Sequence, residues 1–243
     1  MNIELVIFGF VGTTVLDDGL VSSSLREAVA SADVAASDEA IERVAGLASP
    51  RAVCELLESA RGGKGTWGAD EVQRVHADFV RRLIARASRD EPLRETLGAS
   101  RAFWQLRQDG IRVGSVTGLS LSSAAAIHER LGWRVRGLVD VFVTSDEVER
   151  GAPEPDAIFE IMQRAGVRES ARVAFVGNAT SELEQASAAG CGLVVGVFDS
   201  DGSFGRVRAA PHNVLLPTCA LVPELLRRIS ARRIAPIAMG SSS

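Results

Sequence analysis

The side chains able to do chemistry are few, and most stand just past the ends of apolar runs. Glu182 lies one helical turn beyond Gly177-Asn178. It is placed to act as a general base, although a first-turn helix acid favoured by the dipole is the default reading. Thr117, ahead of Gly118, can hydrogen-bond a ligand oxygen or cap the turn that follows. His76 falls on the apolar side of its helix, which favours a core or interface histidine over a ligand. His128 and His212 have no chemical partners clustered around them. Asp17 and Asp18 read as turn residues, and Asp146 and Glu147 as groups that cap or solvate a strand end. The stretch Glu4–Val15 is built like the mouth of a site, an apolar run closed by Gly12-Thr13-Thr14. Its only ionisable side chain is Glu4, at the wrong end. A strand end of this shape without an acid, base or nucleophilic carboxylate is the central oddity of the sequence.

These residues need a scaffold, and the pattern supplies one. Apolar runs at Glu4–Val15, Ile111–Val116, Leu138–Thr144, Arg172–Val176, Gly192–Phe198 and Asn213–Leu216 read as strands. Helical patterns alternate with them at Ser100–Gln108, Ala124–Leu131, Pro153–Gly166, Ser181–Ala189 and Leu221–Ile229. Such alternation predicts an α/β fold, a Rossmann-like parallel sheet with helices on both faces. Between the first two strands the reading is purely helical: Ser24–Val29, Asp38–Leu47 behind an N-cap at Ser37, Pro50–Ala60, and a long helix capped by Asp70. Arg61-Gly62-Gly63-Lys64-Gly65 reads as a flexible connector. The expected organisation is an α/β core over residues 1–17 and 96–235, an inserted helical cap over 18–95, and a disordered tail over 236–243. Trp67, Trp104 and Trp133 are scattered and read as core packing. The arginines around Arg227, Arg228, Arg232 and Arg233 read as a solvated helix face or a partner surface.

Composition narrows the function classes. The 243 residues are 46% hydrophobic and 24% charged, with a net charge of -4. That balance gives no electrostatic case for nucleic acid or an anionic membrane surface. No apolar run approaches the roughly 18 residues of a membrane span, and no basic region precedes an apolar segment at the N-terminus, so no signal peptide is expected. Cys54, Cys191 and Cys219 lack CxxC spacing and read as buried thiols in a reducing cytoplasm. Lys64 is the only lysine, a hint of a GC-rich bacterial genome rather than of function.

The order of motifs resembles the haloacid dehalogenase superfamily, and within it the phosphonoacetaldehyde-hydrolase-like branch. The resemblance rests on the GTTV turn at Gly12–Val15, Thr117-Gly118, Gly132-Trp133, the run Thr144–Val148, the segment Gly151-x-Pro-x-Pro-Asp156, Val176-Gly177 and Pro211-His212. It implies a strand-end aspartate that becomes a covalent intermediate. It also implies a magnesium ion held by carboxylates, a Ser or Thr on the phosphoryl group, a charge-neutralising Lys or Arg and, in true phosphonoacetaldehyde hydrolases, a cap lysine. This sequence departs at nearly every such position. The nucleophile position is Gly9 and the position two residues on is Val11. The Lys or Arg position is Ala152, the metal carboxylates have become Asn178 and Glu182, and Ser49 or Arg51 stands where the cap lysine is expected. Thr117 alone survives.

The expected function is therefore a catalytically inactive protein that binds, scaffolds or stabilises a partner enzyme in a bacterial secondary-metabolite pathway. The alternative is a repurposed, metal-independent enzyme for cyclisation, elimination or isomerisation of a small molecule. The vestigial pocket comprises Gly9, Val11, Thr13, Thr117, Gly118, Ala152, Asn178 and Glu182, with no catalytic residue, metal or cofactor. The expected partner is a pathway enzyme in a hetero-oligomer, or a second copy in a homodimer, with a small-molecule ligand possible and neither nucleic acid nor membrane. The expected location is the cytoplasm.

Overall fold

The computed structural model describes residues 2–61, 67–88, 93–198 and 204–232. Six strands form one sheet: β1 (Leu5–Gly9), β2 (Arg112–Val116), β3 (Val141–Val143), β4 (Val173–Gly177), β5 (Leu193–Val197) and β6 (Val214–Leu216). Their order is β3-β2-β1-β4-β5-β6, and every pairing is parallel. Val6 lies between Val113 and Ala174, so β1 is a central strand flanked on both sides. Parallel strands covered on both faces are apolar at successive positions rather than alternating, and β1, β4 and β5 are buried along their whole length.

The period-two pleat sorts those side chains into two layers. Leu5, Ile7, Val173 and Phe175 meet α8 (Asp156–Ala165), α9 (Thr180–Ala188) and α10 (Phe204–Ala209) through Ile158, Ile161, Leu183 and Val207. Val6, Phe8, Ala174 and Val176 face the other way, toward α5 (Ala99–Gln108), α6 (Leu121–Leu131) and α11 (Val222–Arg232). The same apolar cluster runs without a break into the helices inserted between β1 and β2. These are α1 (Leu20–Ala30), α2 (Asp38–Arg43), α3 (Ser49–Arg61) and α4 (Ala69–Ala87). A four-residue helix, α7 (Trp133–Arg136), follows α6; α7 and α10 were not read from the sequence.

Local chemistry accounts for most element ends and for where the sequence reading misses. Ser37 accepts from Ala40 N at 3.2 Å and starts α2 as expected. The expected helix over 38–47 stops at Arg43, because the chain turns through Gly46 at φ 78°. Asp70 lies inside the first turn of α4 rather than capping it; the N-cap is Gly68. The first strand ends at Gly9, and Val11–Val15 forms a small loop closed by a bridge between those two residues. Trp67 and Trp133 are buried, but Trp104 is 56% exposed, which corrects its assignment to the core. It stands on the side of α5 opposite the buried Ala102, Phe103 and Leu106. Arg228 pairs with Glu224 and Arg227 with Asp109, both at exposed positions. The connector around Lys64 and the tail over 236–243 lie outside the described residues, as does Arg233. No described helix is long and apolar enough to cross a membrane.

His128 shows how the core treats a polar ring. It stacks on Phe10 at 5.0 Å and meets Phe142 and Trp133 edge-on, and its Nε2 has no hydrogen-bond partner. Burial pushes the imidazole down to about 4. The neutral ring is thus favoured in the folded chain. Its contribution is whole above the ordinary value near 6.5 and drains away as pH falls toward 4. His128→Phe should remove about 3 kcal/mol of acid sensitivity between pH 7 and pH 4. Urea denaturation across that range checks it; an unchanged pH slope would count against this account of the ring.

Candidate functional site

The carboxyl ends of β1, β2 and β4 meet where an open α/β sheet places its ligands. Gly9 ends β1, Thr117 and Gly118 follow β2, and Asn178 follows β4. Glu182, in the first turn of α9, bends back into this junction. Its Oε2 accepts from Asn178 N at 3.2 Å and Ala179 N at 3.3 Å. This is the returning half of a capping box; Ala179 has no side-chain oxygen to supply the other half. The carboxylate continues on to the β1 terminus. A Cβ on Gly9 would come within 2.7 Å of Glu182 Oε1, and one on Gly177 within 2.7 Å of Oε2. The space into which a side chain at position 9 would project is therefore filled by a carboxylate from another strand end.

That carboxylate is only 6% exposed. Burial pushes its pKa up to about 7, against the pull of the two backbone N–H donors. Desolvation dominates, with no cation among the described residues hydrogen-bonded to it. Thr13 Oγ1 donates to Asn178 Oδ1 at 3.1 Å, and Thr14 Oγ1 to the carbonyls of Gly9 and Phe10, each at 3.0 Å. Thr117 Oγ1 accepts from Leu119 N at 3.2 Å, the turn-capping role. The threonines thus hold the loops in place.

The insert presses directly onto these strand ends. Ser49 N donates to Gly118 O at 2.7 Å, and Ser181 Oγ to Ala45 O at 2.9 Å. Gly118 lies so close to the Leu47 carbonyl that any β-carbon would collide with backbone. Arg51 reaches Glu154 at 3.3 Å across the same seam. His76, bonded to Ser49 Oγ at 2.9 Å, belongs to this seam; burial lowers its pKa, and the nearby Asp146 partly opposes that. Between insert and sheet remains a cavity of about 340 Å³. Val11, Thr117, Gly118, Asn178 and Glu182 line its sheet side, and Leu25, Ile41, Val44 and Phe79 its helical side.

Of the eight residues expected to form the pocket, those five line the cavity. Gly9 lies behind the Glu182 carboxylate, and Thr13 is buried beside Asn178. Ala152 is buried on a separate narrow gap of about 10 Å³ shared with Thr117 and Glu182. The sequence reading missed the contributions of Arg26 on α1, Asp38 and Glu42 on α2, and Arg206 on α10, which also line the cavity; the helical reading from Asp38 was the only trace of the α2 pair. The donor set does not fit magnesium. Position 9 brings no ligand, Asn178 Oδ1 is engaged by Thr13, and Glu182 Oε2 is engaged by backbone. Among the described residues no group of three or more His, Cys, Asp or Glu is placed to hold a metal.

Comparison with known proteins gives the site its context. The family model described as haloacid dehalogenase-like hydrolase matches residues 3–190. A phosphoglycolate phosphatase of Cereibacter sphaeroides is 28% identical over 134 residues, 55% of this chain and 58% of that protein. A phosphonoacetaldehyde hydrolase of Lysinibacillus sphaericus is 33% identical over 103 residues, 42% of this chain and 37% of that protein. The aligned regions thus span about half or less of the length of these curated relatives. The crystal structure of a phosphonoacetaldehyde hydrolase-like protein from Oleispira antarctica superposes with a TM-score of 0.78, at 19% identity, over 97% of this chain and 96% of that one. Identity that low establishes the shared fold alone.

The buried carboxyl makes a thermodynamic mark. Its protonated form is favoured in the folded chain. The associated stability is whole below the ordinary value near 4.5 and is lost as pH rises through about 7. Glu182→Gln should therefore stabilise the protein at pH 8 by up to about 3 kcal/mol and leave it nearly unchanged at pH 4.5. Denaturant titrations of both proteins at the two pH values check this. A loss of stability at pH 8 would show that the charged form is the better-held one.

Proposed function

The chain belongs to the haloacid dehalogenase-like hydrolase family, and from that premise we propose that it is a member of the phosphonoacetaldehyde-hydrolase-like branch that has given up the family's aspartate chemistry and serves as a binding, scaffold or stabilising subunit for a partner enzyme. One observation carries this reading. Position 9 has no nucleophile, and the place for one is filled by Glu182. A carboxylate introduced there would meet a second, desolvated carboxylate, and two like charges at that separation do not both ionise. The Ala152 position brings no cation to relieve them. The branch assignment is supported by the Lysinibacillus relative and by the GTTV turn whose threonines hold the β1 loop.

The binding role draws support from an apolar surface on the far side of α5. Leu97 is 89% exposed and Trp104 56%, and Leu221, 36% exposed, lies in the 219–221 turn against which α5 packs. Gly98 comes close to Ala220 at this junction. Exposed Trp with flanking arginines, here Arg101 and Arg107, is the composition of an interface centre. A second reading is favoured by Glu182 itself: a carboxyl with a pKa of about 7 beside a cavity suits proton transfer in a metal-independent isomerisation, elimination or cyclisation.

Three outcomes are expected. The purified protein should release no phosphate from generic phosphomonoesters, with or without magnesium; robust turnover would sink the proposal. Gly9→Asp alone should restore nothing and should lower thermal stability, because its side chain enters space held by Glu182. Trp104→Asp should abolish recovery of the partner in pull-downs from the native host while leaving the circular dichroism spectrum intact. Retention of an identical set of captured proteins would remove the α5 surface from the account.

A further inference from the structure

The cavity between sheet and insert differs in charge from a site built for phosphate. Six of its lining residues carry formal charge: Asp17, Asp38, Glu42 and Glu182 against Arg26 and Arg206. Both arginines are committed. Arg26 bonds Asp38 at 2.6 Å, and Arg206 pairs with Glu42. Asp17 accepts from Val21 N at 2.6 Å and Ser22 N at 3.4 Å, so its charge is satisfied by the start of α1. Glu182 is left as the buried acid whose hydrogen-bond partners among the described residues are two backbone amides, both on Oε2. Thr117 and Asn178 lie on the same floor with their side-chain oxygens already engaged by Leu119 N and Thr13, and the walls at Leu25, Ile41, Val44 and Phe79 are apolar.

We infer that this cavity selects a small cationic or neutral amphipathic molecule, an arylalkylamine or alkylamine of about benzylamine size, and excludes the phosphorylated anions that strand-end sites of this layout otherwise receive. An ammonium group seated on the floor meets the Glu182 carboxyl and favours its ionised form, and its hydrocarbon part lies against the apolar wall. An anion in the same place meets a desolvated carboxylate with no free arginine among the described lining residues. The volume, about 340 Å³, is at the small end of the range for small-molecule sites. The inference rests on the proposal that the family's phosphate chemistry is absent, and it adds what the emptied site accepts in its place.

An isosteric series tests it: benzylamine, benzyl alcohol, benzoate and benzylphosphonate, titrated calorimetrically into the full chain at low ionic strength. Benzylamine should bind at least about ten-fold more tightly than either anion, with benzyl alcohol between. Glu182→Gln should bring the amine down to the level of the alcohol while leaving the alcohol unchanged. Anions binding as well as the amine, an amine preference that survives Glu182→Gln, or no binding by any of the four would each overturn the inference. Magnesium-dependent phosphate release, measured separately on a phosphomonoester, is what would overturn the non-hydrolytic reading; absence of binding without such turnover would leave that reading standing.

Discussion

A carboxylate buried against backbone, without a cation, governs this molecule. Glu182 gains two amide hydrogen bonds and loses its water, and the loss outweighs the gain, as its raised pKa records. Everything around it accommodates that imbalance. Position 9 is glycine because the carboxylate takes the room of a side chain, and position 177 is glycine for the same reason. Asn178 is neutral, and Ala152 is small and neutral. A charge added at any of these places would leave another buried and unmatched. Positions 9, 152, 178 and 182 therefore belong to one electrostatic unit, and a change of charge at one of them is an event for all.

The sheet is indifferent to that event. β1 ends at Gly9, and its core contacts come from Leu5, Val6, Ile7 and Phe8, all fully buried. Those residues contact helices on both faces, well below the strand-end loops. The fold and the strand-end site are thus carried by different atoms of the same strand. The insert is tied in differently: its apolar residues share a cluster with one sheet face, and its loop at 45–49 is bonded to Gly118 and Ser181. The contact that places the helices over the site also forms one wall of its cavity.

Much of the fold was legible in the sequence because its signals are local. Apolar runs marked the strands, Ser37 marked the start of α2, and Gly166, at φ 69°, marked the end of α8. The reading failed where a tertiary neighbour decides the outcome. Helix 38–47 is cut short where the chain turns through Gly46 to approach the core, and Trp104 faces outward because Phe103 and Leu106 already fill the face toward the sheet. At the site, the missing carboxylate at position 9 was readable one residue at a time. That the Glu182 carboxylate lies in the space beside Gly9 was not, since the two residues are distant in the chain and brought together by the parallel pairing of β1 with β4. The aromatic nest around His128 escaped for the same reason.

The position of β1 also bears on how the chain is made. Its neighbours in the sheet are Arg112–Val116 on one side and Val173–Gly177 on the other. On the ribosome the central strand thus emerges about a hundred residues before the first of the strands that will hold it, and both of its edges wait unpaired through that interval. The helices from Leu20 to Ala87 emerge in that interval. They present Leu25, Leu56, Leu57 and Phe79, which end in the same apolar cluster as Val6 and Phe8. The insert thus supplies apolar residues that share a cluster with the strand before either of its sheet neighbours has been made.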